Sequence, residues 1–76
     1  MIYKEEEFDK EIENLVLVDF YTTWCAPCMR LKEVIHKIEV IKVLEVDVDK
    51  NKYLAFKYAV MSVPTLIIFN NKTDYQ

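Results

Sequence analysis

The stretch Trp24-Cys25-Ala26-Pro27-Cys28 holds both cysteines of a 76-residue chain, two residues apart, and its reading decides the fold. Taken alone, so close a pair can close a small disulfide ring, hold a metal from one side or carry no chemistry, so the flanks must choose. On the N-terminal side, Leu15-Val16-Leu17-Val18-Asp19-Phe20-Tyr21 is bulky and partly β-branched, the pattern of a short strand buried on both faces of a parallel sheet. On the C-terminal side, Cys28, Leu31, Ile35 and Ile38 recur at helical spacing, while Arg30, Lys32, Glu33 and Lys37 fall elsewhere on the wheel. The motif therefore stands where a strand hands over to a helix. Pro27 suits the first helical turn, where its missing N–H would lack a partner anyway.

That handover has chemical consequences. Cys25 falls at or just before the helix N-terminus, with free backbone N–H groups and the positive end of the dipole directed at its sulfur. A thiolate is stabilised there, and the thiolate is the nucleophile. Cys28, one turn in, lies beneath it and is less exposed. An exposed attacking thiol above a sheltered resolving thiol is the arrangement that dithiol–disulfide exchange needs. Cys28 also needs a proton acceptor. Asp19, a carboxylate in an apolar strand, is the candidate, because burial raises its pKa toward neutrality; the competing reading is an aspartate that merely ends the buried part of the strand.

With these residues in place, the sequence resembles the thioredoxin family over most of its length. Val18-Asp19-Phe20, Trp24-Cys25-Ala26-Pro27-Cys28 and Val63-Pro64-Thr65 stand in the family's order and at about its spacing. The resemblance implies a thioredoxin-like α/β fold, a central mixed β-sheet flanked by helices, and a protein-disulfide reductase working through Cys25 and Cys28. It points to the same role for Asp19. It implies that Pro64 is the family's cis-proline, in a loop that faces the disulfide. Trp24, Val63, Pro64 and Met61, with Ala26 and Pro27 between the cysteines, are read as the rim on which a substrate strand docks, Val63 offering backbone hydrogen bonds. Loop packing alone is the competing reading for Met61 and Val63. Implied partners are disulfide-containing proteins and an electron donor of the thioredoxin-reductase type; no cofactor is implied.

The chain also departs from the family pattern. Ala26 replaces the glycine most common between the cysteines, and Met61-Ser62 stands where a basic residue and glycine are frequent. Glu45 occupies a position where some members carry a lysine that pairs with the buried aspartate. Pointing inward, it would push the Asp19 pKa higher still; the alternation of Leu44, Glu45 and Val46 leaves either orientation open. The expected order of elements is β-α-β-α-β-α-β. Ile2 and Tyr3 form a first short strand, residues 4–13 a helix burying Phe8, Ile12 and Leu15, and residues 15–21 the central strand. A second helix runs from Cys28 to about Glu39, a strand over 41–48, and a third helix over 50–58 carries Leu54, Ala55 and Tyr58 inward. Thr65 to Phe69 is a buried strand, and Asn70-Asn71 turns it toward a partner at 73–75. The family's final helix has no counterpart, which leaves part of one sheet face bare and suggests self-association through it.

Composition bounds the remaining classes. Seventy-six residues, 53 % of them apolar or aromatic, are expected to make one small globular domain, residues 1–76. A net charge of −3 gives no basic stripe for nucleic acid and no polybasic membrane patch. The apolar runs are strand-length rather than membrane-spanning, and the acidic start is unlike a signal peptide, so the expected location is cytoplasmic. There a CxxC pair more often signals redox or metal chemistry than a structural staple. As a metal module the chain supplies only two thiolates, plus His36, which falls off its helix's apolar stripe and reads as a surface histidine; a closed zinc site would need another subunit. A redox-inert interaction domain is the third reading. Glycine is absent altogether, and Asn14, Asn51, Asn70 and Asn71 are the expected bearers of left-handed backbone.

Overall fold

The computed structural model describes residues 2–75, and its centre is β1, Val16–Tyr21. β1 pairs in parallel with β2, Lys42–Asp47, and antiparallel with β3, Thr65–Asn70, which continues antiparallel into β4, Thr73–Tyr75. The strand order is β2-β1-β3-β4, a mixed sheet. Three helices complete the α/β arrangement: α1, Glu5–Glu11, α2, Ala26–Ile35, and α3, Lys52–Lys57. A parallel pair needs a crossover, and α2 supplies it between β1 and β2.

Alternation along the strands separates two faces. Val16, Val18 and Phe20 point to one, beside Leu44 and Val46 of β2 and Ile67 and Phe69 of β3, all fully or nearly fully buried. Phe8 of α1, Ile12 at its C-cap and Leu54 of α3 close this face. Phe69 meets Phe8 edge-on at 6.1 Å between ring centroids and Tyr58 at 5.1 Å. Each large apolar side chain so buried contributes about 1.5–3 kcal/mol relative to exposure.

The opposite face carries Leu17, Asp19 and Tyr21, with Glu45 beside Asp19 and with Leu66 and Ile68 from β3. α2 lies on this side, its His36 bonded to Glu45 and its Lys32 placed 5.0 Å from the centre of the Tyr21 ring. No helix follows β4 among the described residues, and Leu66, Ile68 and Tyr75 remain 39 %, 41 % and 59 % exposed.

Several boundaries differ from expectation. Ile2 and Tyr3 form no strand. The Tyr3 N–H donates instead to Asn51 Oδ1 at 2.8 Å, and the Tyr53 hydroxyl donates to the Tyr3 carbonyl. This segment's backbone is thus satisfied by α3 and the turn before it rather than by a ladder. The element order is consequently α-β-α-β-α-β-β. Leu15 is 53 % exposed because α1 ends before it and β1 begins after it. α2 starts at Ala26 and ends at Ile35, well short of Glu39. Of the four asparagines only Asn71 has positive φ; Lys72 shares it in the β3–β4 turn, and Ala59 takes it after α3. A two-residue hairpin turn with both φ values positive matches the twist of its strands. Lys72 and Asn71 donate their N–H groups to the carbonyls of Ile12 and Glu13 at 2.8 and 3.1 Å, so the end of α1 holds the turn in place. Ala59 closes the end of α3, where the Val60 N–H reaches back to the Ala55 carbonyl at 2.8 Å.

Candidate active site

The two cysteines sit where β1 has ended and α2 begins. Cys25 is the N-cap residue of α2, in extended backbone, and Pro27 lies in the first turn. The Cys28 N–H donates to Cys25 Sγ at 3.1 Å, so one of the helix's unpaired amides is directed to that sulfur. The two residues form a disulfide with Cα atoms 5.2 Å apart. In this oxidised state Cys25 is 6 % exposed and Cys28 1 %, so the expected order of access holds, although Cys25 is more sheltered than an openly exposed thiol.

Asp19 is buried two residues before the end of β1, on the face covered by α2. Its Oδ1 has no hydrogen-bond partner, which is costly for an ionised carboxylate. Burial pushes its pKa up from 3.8 to about 6; the neighbouring Glu45 carboxylate adds to the rise, and Lys32 and His36 oppose it. Glu45 thus points to the same side as Asp19, which settles the orientation that alternation left open. His36 is exposed, as expected of a surface histidine, but it is partnered: its Nε2 lies 3.0 Å from Glu45 Oε1. An ionised Glu45 only accepts, so Nε2 carries the proton of this bond.

Trp24, next to Cys25 in the chain, joins Met61, Ser62, Val63, Val48 and Val60 as the walls of one apolar hollow of about 390 Å³. Trp24 is 73 % exposed and Met61 94 %. Trp24 is nevertheless oriented, because its indole N–H donates to Asp49 Oδ2 at 2.9 Å, and the Asp49 N–H in turn donates to Asp47 Oδ1 at 2.9 Å. The Val63–Pro64 bond is cis, immediately before β3, and the Thr65 hydroxyl donates to the Ser62 carbonyl at 2.6 Å across that loop. Ala26 and Pro27 form the first turn of α2, outside the walls of the hollow.

Asp49, His36 and Asn51 are the residues that reading the sequence missed or underrated. Asn51 is fully buried and ties the Asp47 carbonyl to the N-terminal segment through both ends of its amide. An asparagine just before an apolar helical run signals a cap, but its bond to Tyr3, 48 residues away, has no local signature. Of Tyr53, Phe56 and Tyr58, which the sequence presents as packing residues, Tyr58 packs as expected, whereas Phe56 is 90 % exposed and contributes nothing to the core. Among the described residues no three His, Cys, Asp or Glu side chains converge as metal ligands, and no helix is long and apolar enough to cross a membrane.

Comparison with known proteins agrees with this geometry. The family model described as Thioredoxin matches residues 1–76. A thioredoxin of Staphylococcus aureus is 41 % identical over 73 residues, covering 88 % of this chain and 70 % of the relative. Among solved structures, a mutant thioredoxin from Halobacterium salinarum is 35 % identical with a TM-score of 0.82, covering 99 % of this chain and 71 % of that one. A thioredoxin of Malassezia sympodialis is 29 % identical with a TM-score of 0.87, covering 99 % of this chain and 74 % of its own.

Proposed function

The chain belongs to the thioredoxin family and is a thiol–disulfide oxidoreductase, and from that premise we propose the division of labour within its site. Cys25, as thiolate, attacks one sulfur of a partner protein's disulfide. That S–S bond breaks, the departing sulfur takes up a proton, and a mixed disulfide links Cys25 to the partner. Cys28 then gives its proton to the Asp19 carboxylate and attacks Cys25 Sγ, and the partner's second sulfur leaves as thiolate. Two electrons have passed to the partner, and the chain is left with the Cys25–Cys28 disulfide. With its pKa near 6, Asp19 is mostly ionised at neutral pH and yet basic enough to accept the proton. Exposed Trp24 and Met61, with Val63 and the neighbouring Pro64, offer an apolar seat for an extended substrate segment beside Ala26 and Pro27.

The observation that carries this reading is the placement of Cys25 at the helix N-cap with the buried Cys28 one turn behind it. Regeneration of the dithiol is assigned to a donor of the thioredoxin-reductase type, and the working compartment to the reducing cytoplasm. The test is reduction of a protein disulfide by the dithiol form. Cys25→Ser should abolish turnover, and Cys28→Ser should accumulate the mixed disulfide without releasing the partner. Turnover surviving Cys25→Ser, or no mixed disulfide with Cys28→Ser, would overturn the assignment.

A further inference from the structure

Asp19 does not stand alone on the α2 face. In the parallel register of β1 and β2 it lies directly beside Glu45, so two carboxylates project to the same side from strands about 5 Å apart. Glu45 is turned toward the end of α2, where His36 Nε2 holds its Oε1 at 3.0 Å. Both residues of this ion pair line a hollow of about 240 Å³ with Ile35, Ile38 and Val43, so the pair opens to solvent on the flank of the sheet rather than at the disulfide. The chain thus links a buried, unpartnered carboxylate to an exposed imidazole through one intervening acid.

We infer that the His36–Glu45 pair is a positioning device for the resolving step, setting the pH at which Asp19 becomes a proton acceptor for Cys28. The inference rests on the acceptor role proposed for Asp19. The charged groups facing Asp19 are Glu45 from β2 and Lys32 and His36 from α2; on β3 its register neighbour is the uncharged Leu66, and on its own strand Tyr21 shares its face. Glu45 is the one anion among them. Ionised, it disfavours a second negative charge beside it, so Asp19 holds its proton to higher pH. His36 positively charged offsets Glu45 and has the opposite effect. A proton taken from Cys28 is therefore held more firmly when Glu45 is bare than when His36 covers it, and the pair acts from outside the surface a substrate occupies.

The experiment is a pH profile of mixed-disulfide resolution read beside the Asp19 side-chain carboxyl resonance by carbon NMR in the reduced protein. Glu45→Gln should lower the Asp19 midpoint by about one pH unit, and the acid limb of the resolution rate should move with it. His36→Gln should raise both. With Glu45→Gln already in place, adding His36→Gln should still raise the midpoint, because the His36 charge acts on Asp19 directly as well as on the acid it covers. A midpoint unmoved by Glu45→Gln overturns the inference whatever happens to the rate. Asp19→Asn separates the premise: if the acid limb survives it, Asp19 is not the acceptor, while NMR of the parent and the Glu45 variant still reports whether Glu45 controls its ionisation. Thermal unfolding of each variant identifies any that lose their fold, and Glu45→Asp, which keeps the charge, should leave the midpoint near that of the parent.

Discussion

The two faces of the sheet are built to different standards. On one, α1 and α3 close over side chains from three strands until Phe8, Phe20, Ile67 and Phe69 have no exposure at all. On the other, α2 covers Asp19 and buries its own Cys28, while Leu66 and Ile68 of β3 stay about two-fifths exposed. Adjacent residues of one strand therefore live in different surroundings. The closed face supplies the hydrophobic free energy that orders a chain of this size, whereas the α2 face accommodates groups that work against stability. An unpartnered buried carboxylate beside a second carboxylate is such a group, and it is tolerated because the other side of the same strands is densely packed.

Substitutions at Phe69 and Ile68 test the contrast most directly, since the two are neighbours on β3. Phe69→Ala should cost about 3–5 kcal/mol in urea unfolding, enough to leave much of so small a protein unfolded. Asp19→Asn should act in the other direction. The folded state keeps the Asp19 proton up to about pH 6, whereas the unfolded chain releases it near 3.8. Between those values the folded state binds more protons, so parent stability falls as pH rises through that window and the cost is complete above it. The asparagine variant should therefore be more stable than the parent by about 3 kcal/mol at pH 7.5, with the difference vanishing near pH 3. Equal gains at both pH values would show that burial of charge is not the source.

Smaller effects sharpen the comparison. Asn51→Ala removes the amide that fastens the Tyr3 segment over the closed face, and should cost about 2 kcal/mol because a buried N–H and a buried carbonyl each lose a partner. Faster proteolysis of residues 2–4 would accompany it. Ile68→Ala should cost about 1 kcal/mol or less, since much of that side chain is already in water. A loss as large as that of Phe69→Ala would mean that the α2 face is covered in solution, and the contrast between the faces would fail.

The site's chemistry was legible because it is written locally. A strand, a turn with two cysteines and an amphipathic helix follow one another in sequence, and Pro27 marks the helix start. Asp19 stood out as a charge within an apolar run. What could not be read depends on pairs distant in the chain. Trp24 is fixed by Asp49 and Tyr3 by Asn51, and neither partner can be found by periodicity. Glu45 shows the limit of alternation: the pattern separates it from Leu44 and Val46 but does not say whether a helix covers its side. Helix lengths were overestimated for a related reason. Ile38 continues the apolar period of α2, yet the chain turns off after Ile35, and Ile38 remains half-buried beside the hollow next to Val43. Left-handed backbone at Ala59 and Lys72, as well as at Asn71, shows that hydrogen bonding at a helix end or hairpin can outweigh a residue's own preference.

β1 has a ladder along each edge, six residues paired with β2 and five with β3, and the reactive turn springs from its C-terminal end. In terms of time rather than space, its amides should be among the last in the molecule to exchange with solvent, since exposing them requires both ladders to open together. Cys25 and Cys28 therefore follow directly on the part of the protein expected to open last. Many cycles of sulfur exchange can pass between one opening of that scaffold and the next, so the two thiols meet each new partner in the same relative position.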